Sequence, residues 1–500
     1  MKHSLNQQFL MKANRILFLV VIIFLLKPLY SQKLIKDPIN RRDMMESVRY
    51  LSSPEMEGRM PGTEGYDKAS KYCADIFKQL NLKAIGDKGF FQYFNIESNV
   101  INSASLKLKV DDYTEKNYKL GKDFVCRTFS GSGNIRLPLV FCGYGISELS
   151  YDDYANIDVK NKIVLVFKQM PAWKNGDKDF KFLYARDKAR IALEKGAAGI
   201  LLVSLPNDEK PQKPIGSTSE GESKHLDKFP IIHIDLDIAD DFFINTGKTI
   251  KELQTLIDNN KNPQSFDIGK TVEIKVDATY NKKAKTQNVI AMLEGSDPIL
   301  KKEYIMYSAH LDHVGKQGND MYFPGANDNA SGVAAVLQIA KAFVASEVKP
   351  KRSVIFILFA CEEYGGDGSK YLADNFPYNI DNITAMFNLD CIAFGDSIQA
   401  GNGKSCPVLW NIVREQDSLN TKQLINKTWA GGGTDLTPFF SKGVPCTYFV
   451  TTNSYKHLHL PSDKPETLNA ALFEKVVRLA FLSGKYVSLG NYSREKIIKN

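Results

Sequence analysis

Five hundred residues, 43% hydrophobic and 24% charged, describe an ordinary globular protein with room for about two to four domains. This composition excludes a wholly disordered chain, a collagen and a multi-span membrane protein, and seven scattered cysteines without a CxxC pair exclude a disulfide scaffold or zinc knuckle. Residues 1–31 hold Lys2, Lys12, Arg15 and Lys27 and no acid, so of the net charge of +8 the rest of the chain keeps four fewer, too mild and too evenly mixed a balance for a nucleic-acid partner.

At the N-terminus, residues 16–26 form an unbroken apolar run, ILFLVVIIFLL, behind Lys12 and Arg15. The run fits the h-region of a signal peptide and is short of the ~20 residues a membrane helix needs. Small Ser31 marks a cleavage point, and Met11 is an alternative start. Residues 63–80 carry Tyr66, Ala69, Cys73, Ile76, Phe77 and Leu80 at helical spacing, with Thr63 placed to cap. From about 105 to 280, short β-branched and aromatic runs (LPLVFCGYG, KIVLVFKQ, AGILLVSL, FPIIHI) alternate with turns, and one helix over 183–195 precedes GAAGILLV. Residues 206–224, rich in Pro, Ser, Gly, Glu and Lys, read as a mobile surface loop. After Thr286, long apolar strands alternate with helices (YIMYSA, SGVAAVLQIAKAFVA, SVIFILFA, GSKYLADNF, TAMFNLD), which points to a largely parallel α/β sheet. A strongly apolar last helix over 471–487 packs on it.

The reactive side chains follow those strands. His310 and Asp312 come after YIMYSA, Glu362 and Glu363 after SVIFILFAC, Asp390 after TAMFNL, and His459 a short loop after CTYFV. Asp328 stands at the entry to the helix near Ala330. Open α/β sheets bind ligands beyond the carboxyl ends of their strands. Singly, each motif has an ordinary explanation: HxD pairs are common, an EE pair starts many helices, Asp390 could cap a turn and Asp328 a helix. Together, two imidazoles and several carboxylates make a mixed N/O metal site that suits zinc, with manganese or cobalt as alternatives, better than calcium. His313 and His457 read as neighbours of the site and not as ligands.

The order of motifs resembles the M28 family of zinc metallopeptidases, through AHLDHVG, GANDNASGVAAVLQIAKAF, FACEEYGGDGSKYL, FNLDCIAFGD, GTDLTPFFSKGVPCTYF and HLPSDKPETLN, and through LSSPEMEGRMPGTEGYDKASKY with FFQYFN near the N-terminus. NIDVKNKIVLVFKQ and ARIALEKGAAGILLV resemble a protease-associated (PA) domain. The resemblance implies a phosphorylase/hydrolase-like α/β fold: a mixed central sheet flanked by helices, with an inserted β-rich PA domain. The implied boundaries are a signal peptide over 1–31, peptidase segments over 32–124 and 281–490, and the PA insertion over 125–280. It implies two zinc ions per chain, one on His310, Asp328 and Asp390 and the other on Glu363, His459 and the shared Asp328. Glu362 is the implied general base, Asp312 orients His310 through its other ring nitrogen, and Asp435 is a polar neighbour. Unusual backbone geometry, down to a non-prolyl cis bond, is expected at Asp328–Asn329. One departure is Leu458, where the family often has Tyr before the ligand histidine.

The implied activity is an exported exopeptidase, periplasmic or extracellular, that hydrolyses N-terminal residues from peptides with a metal-activated water. A carboxypeptidase or dipeptidase of the same family, a single-zinc glutaminyl cyclase-like enzyme and a non-catalytic binding module are the competing readings. Peptides are the expected partners, with neither nucleic acid nor a membrane span after signal cleavage.

Overall fold

A computed structural model describes residues 39–111, 113–174, 182–217 and 224–498. The expected signal peptide lies outside the described residues, as does part of the 206–224 loop. Among the described residues, no helix is long and apolar enough to cross a membrane.

Helix α1 (Arg41–Leu51) starts at Asn40, whose side chain accepts the main-chain N–H groups of Arg42 and Asp43. Helix α2 (Glu64–Gln79) follows, its apolar residues buried at the spacing legible in the sequence. Thr63 precedes it without capping it: its hydroxyl turns back to the Met60 carbonyl at 2.7 Å. The chain then enters a long strand, β1 (Phe91–Lys109).

The middle block holds β2 (Phe124–Cys126), β3 (Gly133–Phe141), β4 (Ile163–Phe167), α3 (Ala185–Glu194), β5 (Gly199–Val203) and β6 (Ile231–Ile234). Strands β3, β4, β5 and β6 pair in parallel, and β2 closes the edge antiparallel to β6. Strands β4, β5 and β6 are buried on both faces, which is why they read as continuous apolar runs without alternation.

Strand β7 (Phe266–Leu293) returns to the peptidase-like block. There β8 (Tyr304–His310), α4 (Gly332–Ala345), β9 (Ser353–Phe359), β10 (Ile383–Leu389), β11 (Ile398–Gly401), β12 (Cys446–Thr451) and α5 (Ala470–Ser488) build the second half. The order is β11-β12-β10-β8-β9-β7, with β12, β10, β8 and β9 parallel and both flanking strands antiparallel. The sheet is therefore mixed, with helices packed against it and a second, β-rich block attached.

Two hydrophobic cores reflect this division. One joins α1, α2, α4 and α5 to one face of the second sheet, and the other fills the middle block. Strand β7 belongs to both halves: its residues 266–276 pair with β3 and its residues 289–293 pair with β9.

Candidate metal centre

The parallel strands β8, β9, β10 and β12 deliver their side chains to one rim. His310 is the last residue of β8, Asp390 directly follows β10, Glu362 and Glu363 sit in the turn after β9, and His459 lies in the loop after β12 with φ of 54°. Asp328 sits ahead of α4, in an irregular turn whose Asp328–Asn329 peptide bond is cis, as the sequence analysis anticipated. The Asp463 carboxylate accepts the main-chain N–H groups of Asn327 (2.9 Å) and Asp328 (3.0 Å) and so holds that turn.

Two groups of ligand-type atoms meet at Asp328. Its Oδ1 is 3.2 Å from His310 Nε2, which is 3.4 Å from Asp390 Oδ1. Its Oδ2 is 3.1 Å from His459 Nε2, which is 2.9 Å from Glu363 Oε2. The five side chains named from the sequence as ligands thus converge, one carboxylate oxygen of Asp328 facing each group. His313, which the sequence suggested was only a neighbour, stands in the second group, with Nδ1 3.0 Å from Glu363 Oε1 and 3.6 Å from Asp328 Oδ2. His457 belongs to neither group and contacts Ser462.

Asp312 acts differently from the expectation. The atom beside His310 Nδ1 is the main-chain carbonyl of Asp312 at 3.1 Å, while the nearer carboxylate oxygen is 3.8 Å away. The carboxylate instead accepts the N–H groups of Glu362 and Glu363, each at 3.2 Å. Its oxygens face the turn after β9, which leaves only the carbonyl within reach of the ring.

The chemistry of this donor set fits a dication. The carbonyl oxygens beside His310 Nδ1 and His459 Nδ1 can only accept hydrogen bonds, so both rings carry their proton on Nδ1 and turn Nε2 towards carboxylate oxygens. Asp328 Oδ2 and Asp390 Oδ1 are buried and find no hydrogen-bond donor. Without a cation, the only relief is imidazolium. Burial opposes charge on His310 and His459, yet the facing carboxylates push both well above the ordinary histidine range. Glu363 is held at about 2 against burial, chiefly by the His459 charge. Burial pushes Glu362 well above the usual carboxylate range, although His310 opposes it. Burial likewise lifts Asp312 and Asp435 to about 7.

Three supports had no signal in the ligand motifs. Arg59 is wholly buried, and its guanidinium donates to the carbonyls of Leu51, Leu311, Pro324 and Gly325, tying the loop after β8 to the Asp328 turn. Tyr448 donates to Asp390 Oδ2 at 3.3 Å. Gly216, in the stretch expected to be a mobile surface loop, is buried against His459. Arg59 and Tyr448 left a trace in the sequence, as parts of LSSPEMEGRMPG and GTDLTPFFSKGVPCTYF, and Gly216 left none.

Residues 288–482 match the family model described as peptidase family M28, and residues 135–242 match that of the PA domain. Residues 288–482 form a peptidase family M28 domain. The chain is 26% identical over 485 residues to aminopeptidase YwaD of Bacillus subtilis, covering 92% of this chain and 88% of that one. A probable zinc metalloprotease of Pyrenophora teres f. teres is 38% identical over 107 residues, 21% of this chain and 22% of its own. The matched stretch thus spans under a quarter of that fungal protein's length. The fold of an aminopeptidase from Aneurinibacillus sp. strain AM-1 superposes with a TM-score of 0.62 at 20% identity, covering 93% of this chain and 97% of that one. That likeness establishes the fold.

Proposed function

We propose that this M28 peptidase is an exported, zinc-dependent aminopeptidase that holds two ions and removes N-terminal residues from peptides. The carrying observation is the shared Asp328, one oxygen in each of two buried ligand groups. In this reading His310, Asp328 and Asp390 hold one zinc, Glu363, His459 and Asp328 the other, residues 1–31 are a signal peptide, and the PA insertion spans 125–280. Export to the periplasm or the exterior follows from the signal peptide. The relatives named above, a probable zinc metalloprotease and an aminopeptidase, support zinc and peptide substrates.

When bound, zinc supplies Lewis-acid polarisation of the scissile carbonyl and lowers the pKa of water towards about 7. The chain supplies the rest. Asp312 fixes the main chain of Glu362 and Glu363 through their N–H groups, so the two adjacent carboxylates keep separate tasks. Glu362, whose buried carboxyl has a raised proton affinity, takes the proton of the attacking water and returns it to the leaving amine. His313 backs the Glu363 oxygen that does not face His459.

One observation favours a dipeptidase or carboxypeptidase as the second reading. Arg186, stacked over Phe129 at 5.2 Å, lines a cavity of about 210 Å³ together with Tyr364, the residue after Glu363. A guanidinium there would suit a substrate carboxylate.

Zinc analysis and a panel of free and N-acetylated peptides separate these readings. The aminopeptidase holds near two zincs per chain and cleaves only peptides with a free N-terminus. One zinc or none, or cleavage indifferent to acetylation, overturns it in favour of the cyclase, carboxypeptidase or binding-module alternatives.

A further inference from the structure

We propose that the PA domain is part of the metal-holding apparatus, through the Gly216 main chain acting as a positioning group for His459. This rests on the two-ion reading above. The contact is reciprocal. His459 Nδ1–H donates to the Gly216 carbonyl at 3.0 Å, and the Gly216 N–H donates to the His459 carbonyl at 3.0 Å. A carbonyl can only accept, so it selects the tautomer protonated on Nδ1 and leaves the Nε2 lone pair for a metal shared with Asp328 and Glu363. Ligand histidines generally need such an outer partner, and losing it typically weakens metal binding by about 10–100-fold. Here the partner comes from a segment 243 residues earlier in the chain, within the PA match.

That segment is built to hold the carbonyl still. Arg127, fully buried just after β2, donates Nη1 to the Ile215 carbonyl at 2.9 Å. The Ile215 N–H points to Nδ1 of His233, a fully buried residue of β6, at 3.4 Å. The Thr128 N–H bonds the Ser217 carbonyl at 3.3 Å, and Lys213 pairs with Asp235 at 3.1 Å. The edge strands of the PA sheet thus clamp the residues on both sides of Gly216. Space is the second constraint. A Cβ on Gly216 would lie 2.6 Å from Val314 Cγ2 and 2.9 Å from Phe323 Cζ, closer than real Cβ atoms approach. Any side chain there forces a shift of the Gly216 main chain or of the Val314 and Phe323 side chains packed on it.

The test uses the full mature chain, stripped with a chelator and titrated with Zn²⁺. Wild type takes up two ions. Gly216→Ala is expected to keep one ion at wild-type affinity and to bind the other about 10–100-fold more weakly, with activity restored by excess Zn²⁺. General loosening of the fold would weaken both ions, because Asp328 serves both, so loss confined to one ion is the signature of this role. Adding Val314→Ala makes room for the new methyl group and should recover much of the lost affinity. Unchanged affinity for both ions in Gly216→Ala, or equal weakening of both, overturns the proposal. If wild type itself holds a single ion, the two-ion reading falls, and this proposal then stands or falls on whether that ion is bound more weakly in Gly216→Ala. Should Gly216→Ala not fold, ¹⁵N NMR of histidine-labelled, zinc-loaded wild type decides. A ring with protonated Nδ1 and metal-bound Nε2, assigned by its absence in His459→Ala, supports the proposal, and a ring with metal-bound Nδ1 overturns it.

Discussion

At the scale of single residues, the proposed function separates five side chains that would hold metal from Glu362, which would move a proton. Glu362→Gln removes only the proposed base. Turnover should fall about 10²–10⁴-fold while zinc content and the unfolding midpoint stay at wild-type values, read by steady-state kinetics beside metal analysis. Asp328→Ala removes an oxygen from both ligand groups, and both ions should be lost together with activity. Retention of two zincs in that variant would place the bridge elsewhere. His233 gives a pH signature in stability. Burial, with Lys168 and Arg127 adding, holds its folded-state pKa well below 6.5, and the ring is already committed as an acceptor for the Ile215 N–H. The unfolded chain therefore binds a proton near pH 6.5 that the folded chain refuses. Stability contributed by the neutral ring is present above that pH and is lost as pH falls below it, by up to about 1.4 kcal/mol per pH unit. Urea melts between pH 8 and 5 should show that slope in wild type and a shallower one in His233→Gln. The side chains that converge at the rim were legible because they are polar residues at the ends of apolar strands. Gly216 was not, because a buried carbonyl acts through the fold around it and has no spacing of its own.

At the scale of elements, periodicity located α2, α3, α4, α5 and the parallel strands of the peptidase-like block to within a residue or two, since each is dominated by one apolar face or an unbroken apolar run, whereas LPLVFCGYG starts four residues after β3 does. The Pro- and Ser-rich stretch ahead of β6 misled for a physical reason. Turn-forming residues report an irregular backbone, and irregular backbone is as able to line a site as to lie in solvent. The partner of α5 also depends on tertiary detail. Tyr307 of β8 stacks within a cluster of Phe356 and Phe387 and donates its hydroxyl to the Ala480 carbonyl at 2.9 Å. A Cβ on Gly484 would lie 1.7 Å from that hydroxyl oxygen. Gly484→Ala should therefore cost about 1–3 kcal/mol through overpacking, although alanine is the better helix former. Denaturant unfolding with unchanged m-value would show it, and a stabilised variant would mean that α5 slides freely on the sheet.

At the scale of the whole molecule, the parallel order and the division into two blocks could be read from alternating strands and helices, but not the joining of both blocks into one sheet. That depends on the 28 residues of β7, whose polar middle breaks the apolar pattern by which strands are recognised. On the proposed reading, metal binding should stabilise the chain as one body, because the converging side chains follow four strands and the turn ahead of α4, and Gly216 of the PA match contacts His459. At a free zinc concentration about 1,000 times the dissociation constant, one ion adds about 4 kcal/mol. Calorimetry should show a single transition that shifts upwards with zinc and downwards with a chelator.

Strand β7 has a mechanical consequence as well. Between residue 277 and residue 288 it has left β3 and not yet met β9, so among the described residues only β1 is paired beside it, through two register shifts at Asp277/Ala278 and Asn281/Ala284. A beam is most compliant where it is thinnest. Any rocking of the PA domain would bend β7 at these two irregularities, and would also have to break the bonds of the Gln317 side chain to the Cys126 main chain and of Gly216 to His459.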